Sequence, residues 1–242
     1  MTGTDLASYR NIVVLTGAGI SQAAGLPTYR GKGGLWSDPE LAELVFVAAM
    51  TTRRREACSM LWQFRQSIAG VAPTAAHRAL AAFEARLPAG ASFLIVTQNV
   101  DGLHQRAGSR HVVEYHGTLQ RWFCELCALE IEPPIGPPGG ELPEHCGELM
   151  RPATVLFGEM IPPEAEHAAT VALRDCDLFV AIGTSGTVYP AASFVRWAEL
   201  NGARRILINL EIDEESHEAY AECHAGAADD LVPQLFAAAP DA

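Results

Sequence analysis

A chain of 242 residues that is 49% hydrophobic has the apolar side chains for a full core, with room for one large domain and a smaller inserted module. A formal net charge of −12 argues against a general nucleic-acid binder, because a polyanion would be repelled. No basic segment followed by a long apolar run opens the sequence. The expectation is therefore a cytoplasmic protein with no membrane span, whose six cysteines are reduced or metal-bound rather than paired.

In chain order, "NIVVLTGAG" from Asn11 reads as a short buried strand that ends in small residues. Gly17 and Gly19 after it would let the N–H groups of the next helix approach a pyrophosphate, although Gln22 breaks the full GxGxxG spacing and a tight turn explains a lone GxG equally. The loop "TYRGKGGLW" holds the only lysine, Lys32, among glycines. Residues 37–70 are helical, and "PTAAHRALAAFEARL" opens at Pro73–Thr74 as a further helix. "SFLIVTQN" from Ser92 is a second strand, with Gln98, Asn99 and Asp101 beyond its end, and "EYHGTL" sets His116 in a loop.

Residues 118–152 contain "CELC" and the Pro/Gly-rich "EPPIGPPGGELPEHCGE", with little periodicity. "DLFVAIGTS" from Asp177 and "RILINLE" from Arg205 are further strands, ending near Gly183–Ser185 and at Asn209, with a helix from Pro190 to Gly202 between them. Strand–helix alternation predicts an α/β fold, a Rossmann-like doubly wound parallel sheet that binds ligands at the carboxyl ends of its strands. Segments 37–70 and 118–152 break the alternation and read as insertions. No acidic residue ends a clear second strand, which disfavours a plain dehydrogenase.

The motifs "GAGISQAAGLPTYRG", "TQNVDGLH", "YHGTL", "CELC…C", "RPATVLFGE" and "GTS", in this order, resemble the sirtuin family of NAD-dependent protein deacylases. The resemblance runs from about Asn11 to about Pro233. It implies an NAD-binding domain over 1–36, 71–117 and 153–242. The helical insertion and a zinc-ribbon-like Cys module would together form the small domain. NAD would lie on Gly17, Ala18, Gly19, Thr28, Tyr29, Arg30, Trp36, Gln98, Asn99, Asp101, Gly183, Thr184, Ser185, Asn209 and Ala228.

The implied reaction joins the acyl oxygen of an acyl-lysine to the nicotinamide ribose, releasing nicotinamide and O-acyl-ADP-ribose, with His116 as general base and Asn99 beside it. An imidazole suits this task because its ordinary pKa of about 6.5 lies near working pH. The protein substrate would add as a strand beside Val155, Phe157, Gly158 and Glu159 on one side and Val188 on the other. Mono-ADP-ribosyl transfer, NAD hydrolysis and a non-catalytic NAD sensor are the alternatives on the same fold.

Two departures from the family follow. The metal set reduces to Cys124, Cys127 and Cys146, because Pro143 stands where a fourth cysteine would be. His145, as an immediate neighbour of Cys146, is not expected to reach the same ion, which leaves zinc unsettled. The cofactor loop is similar to that of the branch that removes succinyl, malonyl or glutaryl groups. That branch's Tyr-x-x-Arg pair falls at Arg65 and Ile68, so acetyl or another uncharged group is expected. Arg65 reads as a surface residue of an amphipathic helix. Cys58, Cys176 and Cys223 read as buried small apolar residues. Lys32 has three candidate roles: a charge near the NAD phosphates, a contact to an acidic acyl group, or a solvated loop residue.

Overall fold

A computed structural model describes residues 6–27, 38–135 and 140–237. The central sheet is six-stranded and wholly parallel. It comprises β1 (Asn11–Thr16), β2 (Ser92–Thr97), β3 (Val112–Glu114), β9 (Leu178–Ile182), β10 (Arg204–Asn209) and β11 (Glu222–Ala225). Its order, β11-β10-β9-β1-β2-β3, puts β1 at the centre with the chain winding outward in both directions. The four apolar runs form the four inner strands, as expected. The outer β3 and β11 have no run to announce them, being only three and four residues long and half-exposed.

Period-two alternation divides the inner strands between two cores. Ile12 and Val14 of β1, Leu178 and Val180 of β9 and Ile206 of β10 pack against helices α4 (Ala75–Arg86) and α9 (Ala228–Leu235). Val13, Leu15, Phe179 and Leu207 pack on the opposite face against α6 (Pro163–Arg174) and α7 (Phe194–Leu200). Helix α4 begins where "PT" predicts it. Thr74 accepts from the His77 N–H, and His77 Nδ1 accepts from the Thr74 N–H, a capping box with imidazole in place of the usual Glu.

The two interrupting segments share a third core. Helices α1 (Pro39–Leu44), α2 (Ala49–Thr52) and α3 (Arg54–Ala69) pack on a three-stranded antiparallel sheet of β4 (Gly117–Phe123), β5 (Glu130–Ile131) and β8 (Arg151–Thr154). A hairpin of β6 (Glu144–His145) and β7 (Glu148–Leu149) completes this unit. Trp62 of α3 meets Trp122 of β4 edge to face, with centroids 5.2 Å apart.

Arg65 corrects the sequence reading. It is 1% exposed, lies over the Trp62 ring and donates to the Pro133 carbonyl, so it braces the proline-rich segment from inside rather than facing solvent. Cys58 and Cys176 are buried as expected, but Cys223 on the outer strand is only half-buried. Among the described residues no helix is long and apolar enough to cross a membrane.

Beneath the sheet's carboxyl end, the His77 and His104 rings lie 4.6 Å apart, and Thr16 Oγ1 lies 2.9 Å from His104 Nε2. Burial holds both rings neutral, with His77 lowered to about 4 and His104 well below its ordinary value. The unfolded chain binds protons at these sites below about 6.5, so it takes up more protons than the folded chain between 6.5 and 4. These two histidines should therefore add no pH dependence to the melting temperature above pH 6.5 and lower it as pH drops towards 4. His77 alone would account for about 3 kcal/mol of that loss. Thermal melts of the protein and of His77→Gln across this range check it; an unchanged pH slope in the variant removes His77 as the cause.

Candidate functional site

The loops that leave β1 and β9 are locked together by glycine. A Cβ on Gly17 would sit 2.7 Å from the Gly183 carbonyl oxygen, and one on Gly19 would sit 2.6 Å from the Gly183 Cα. Gly183 itself has φ 59° and would collide with the Ile20 nitrogen at 2.6 Å. The Gly17 N–H donates to Ile182 O and the Gly19 N–H to Gly183 O, continuing the sheet's hydrogen bonding into the loops. These glycines are therefore needed for loop-on-loop packing before any ligand is considered. Thr184 is knitted in from both sides, by Gln98 Nε2 on its hydroxyl at 2.9 Å and by Asn209 Nδ2 on its carbonyl at 3.2 Å.

Below this junction lies a buried polar chain. Asn99 Nδ2 donates to Gly17 O and Ser21 Oγ, and the Ser21 hydroxyl donates to Asp101 Oδ2 at 2.7 Å. Asp101 Oδ1 accepts the Leu103 N–H, while burial still raises the carboxyl above its usual range. Asn99 Oδ1 is buried and has no partner, a vacant acceptor that a bound ligand's hydroxyl or amide would satisfy. Asn99 and Asp101 line a small pocket with Ala18, Ser21, Leu26, Pro27, Phe64 and Val100. Ser21, missed from sequence, sits one turn after Gly17; the Ser-to-Asp101 contact spans 80 positions and has no local signature.

His116 precedes Gly117, whose φ is 72° and whose absent Cβ would lie 2.1 Å from the Ala153 carbonyl, so β4 can close on β8 only with glycine there. His116 Nδ1 faces the Gln98 carbonyl at 3.1 Å. A carbonyl can only accept, so Nδ1 carries the proton and Nε2 is left as the free base. Burial lowers the His116 pKa from its ordinary value, with the Gln98 carbonyl opposing the shift.

One cleft of about 940 Å³ gathers most of the expected residues: Gly17, Ala18, Gly19, Gln98, Asn99, His116, Gly183, Thr184, Ser185 and Asn209, with Val155, Phe157, Gly158, Glu159 and Val188. Val45, Met60, Leu61 and Phe64 of the helical insertion also line it and give it an apolar wall. Phe157 pairs with that insertion through its backbone, donating to Val45 O and accepting from the Val47 N–H. Ala228 does not line this cleft; it opens α9 and packs in the core. Thr28, Tyr29, Arg30, Lys32 and Trp36 lie outside the described residues.

The cysteine module carries a four-ligand set, and the expectation of an incomplete one is corrected. Ligand atoms of Cys124, Cys127, His145 and Cys146 all lie within 4.8 Å of one another. His145 Nδ1 is 3.4 Å from Cys127 Sγ and 3.2 Å from Cys146 Sγ. Zn–S and Zn–N bonds of about 2.3 and 2.0–2.1 Å imply tetrahedral ligand spacings of roughly 3.6 Å. Adjacent residues reach one point because Cys146 and Gly147 both have positive φ, 53° and 81°, and so make the two-residue turn of the β6–β7 hairpin. In an extended strand their side chains would diverge. Crowding of the thiols pushes Cys146 up, chiefly through Cys127, while His145 draws Cys124 down. A cation would relieve that conflict.

Comparison with known proteins agrees with this geometry. The Sir2 family model matches residues 17–190. An NAD-dependent protein deacylase of Aquifex aeolicus is 42% identical over 208 residues, covering 83% of this chain and 84% of that protein. One of Pasteurella multocida is 41% identical over 235 residues, covering 93% and 96%. A solved Sir2 homologue, a mutant in complex with ADP-ribose, superposes with a TM-score of 0.88 at 33% identity, covering 96% of this chain and 92% of that one.

The four-ligand set is tested by metal analysis. The purified protein should carry about one zinc per chain. His145→Ala should lower that content and the melting temperature, and His145→Cys should restore both. Full zinc occupancy in His145→Ala would remove the imidazole from the set.

Proposed function

The chain belongs to the Sir2 family, and from that premise we propose that it is an NAD-dependent protein-lysine deacylase acting chiefly on uncharged acyl groups. The observation that carries the reading is the pairing of two features in one cleft. These are the vacant buried acceptor Asn99 Oδ1 and an imidazole whose Nδ1–H is committed, leaving Nε2 free. A mere NAD sensor has no use for an oriented base beside the glycine loops.

NAD, when bound, supplies the electrophilic ribose carbon and nicotinamide as leaving group. The backbone N–H groups around Gly17–Gly19 and the 183–185 loop would hold its phosphates and adenosine half. Asn99 and Asp101 would hold the ribose and carboxamide end, with Asn99 Oδ1 accepting and Nδ2 already bound to the protein. His116 Nε2 would take a proton from a ribose hydroxyl. The apolar side chains of Leu61, Phe64, Leu156 and Ile161 would keep water from the reacting carbon. The protein substrate would lie between the 155–159 segment and Val188. We further infer the division of the chain given above, 37–70 and 118–152 against the rest, because these two segments supply the third core.

Acyl choice follows from what lines the cleft. Among the described residues no lysine or arginine does so, and Arg65 donates its Nη2 to the Pro133 carbonyl. Against those lining residues a succinyl carboxylate would lose water without gaining a cation. Matched acetyl- and succinyl-lysine peptides should differ in kcat/KM by at least about tenfold in favour of acetyl; a succinyl preference overturns this.

His116→Ala should abolish O-acyl-ADP-ribose formation by mass spectrometry while NAD still binds. Only neutral His116 acts as base and its pKa is lowered. The acid limb of the wild-type pH–rate profile should therefore fall below pH 6.5. An acid limb above 6.5, or product from His116→Ala, would contradict the assignment.

A further inference from the structure

The cleft carries a charge pattern that the reaction itself does not use. Among the described residues, its lining holds three carboxylates, Glu159, Glu166 and Glu211, and no cationic side chain. Glu159 is already neutralised: Arg151 grips both its oxygens at 2.8 and 2.9 Å, and the Leu156 N–H donates to it at 2.8 Å. Glu211 follows the end of β10, two residues beyond Asn209. Glu166 is different. It projects from the first turn of α6, a 12-residue helix whose N-terminal end favours an anion.

The side-chain partner of Glu166 among the described residues is the Tyr115 hydroxyl, a neutral donor. Tyr115 is fully buried and packs its ring against His116, centroids 5.5 Å apart. Burial, and then Glu166 itself, push the Tyr115 phenol far above its ordinary value, so it stays protonated and fixes the carboxylate without cancelling its charge. Glu166 is thus a carboxyl group anchored from inside the fold, one ring away from the proposed catalytic imidazole, with no cationic partner among the described residues.

Its neighbours along the cleft add a second feature. Met160 is 90% exposed and Tyr189, next to Val188 in the chain, is 76% exposed; both line the same cleft as Glu166. An exposed thioether and an exposed aromatic face suit the aliphatic stem and the charged head of a long cationic side chain. A glutamate placed there would meet Glu166 and, among the described lining residues, no cation to pair with.

We infer that Glu166 is a specificity-determining residue that selects substrates with arginine or lysine beside the acyl-lysine. The inference rests on the deacylase reading above. Long-range attraction between a chain of net charge −12 and cationic protein segments acts in the same direction.

The test uses three acetyl-lysine peptides, identical except that both residues flanking the acetyl-lysine are Arg, Gln or Glu. For the wild-type protein, kcat/KM should follow Arg, Gln, Glu, with the Arg and Glu peptides differing roughly tenfold and less at high salt. Glu166→Gln should cut that ratio to about threefold or less, and Glu166→Lys should invert the order, which a merely structural role would not do. Peptide binding with NAD present is measured in parallel by calorimetry. If no peptide releases nicotinamide, the deacylase reading fails and the binding ratios still decide Glu166. An Arg-to-Glu ratio that is flat in wild type, or unchanged in both variants, overturns the inference.

Discussion

The site depends on the contact between two loops, those that leave β1 and β9. Gly17, Gly19 and Gly183 approach so closely that a single added carbon on any of them would overlap the other loop's backbone. Overpacking at backbone-to-backbone contacts cannot be relieved by a rotamer change, so the restriction to glycine is steric. This contact sits at the point where the strand order reverses, beside β1 at the centre of the sheet. It brings Asn99, Gln98 and Thr184 into hydrogen-bonding range of each other's loops, and it opens the cleft above them.

A second constraint ties catalysis to the small unit. His116 stands at the junction where the parallel sheet gives way to β4, and Gly117 lets β4 press against β8 at Ala153. The His116 carbonyl accepts both the Val155 N–H and the Thr154 hydroxyl. The proposed base and the proposed substrate-binding segment are therefore held by the same short stretch of backbone. The cysteine module lies at the far end of these strands. Between it and the cleft lies the packing of Trp122, Trp62 and α3.

Electrostatics divides the cleft by means other than pairing every charge. Burial keeps His77, His104 and His116 neutral and raises Asp101. Glu159 is paired with Arg151, while Glu166 has the neutral Tyr115 hydroxyl as its side-chain partner among the described residues. The glycine loops would meet an anion through backbone N–H groups, while the helical insertion gives the cleft an apolar wall.

Much of this was legible in the residues. Four apolar runs ending in small or polar residues are enough to expect a parallel sheet, because strands buried on both faces must be apolar throughout. Glycines after those runs, His116 before Gly117 and the Cys124–Cys127 pair are local patterns with local causes. What could not be read depends on contacts between distant positions. Arg65 looks like a surface cation by helical periodicity, yet the third core folds over it and the Pro133 carbonyl accepts its N–H. His145 looks excluded by adjacency, yet two positive φ values at Cys146 and Gly147 turn it back onto the cysteines. Ser21 meets Asp101, and Tyr115 meets Glu166, across separations that no spacing rule encodes. Sequence determined the four inner strands and the main helices, since periodicity and backbone restriction act over a few residues; the short outer strands and those of the small unit carried no such signal. Only the tertiary structure decided which charges are paired and which face the cleft, because burial and partner choice are set where distant segments meet.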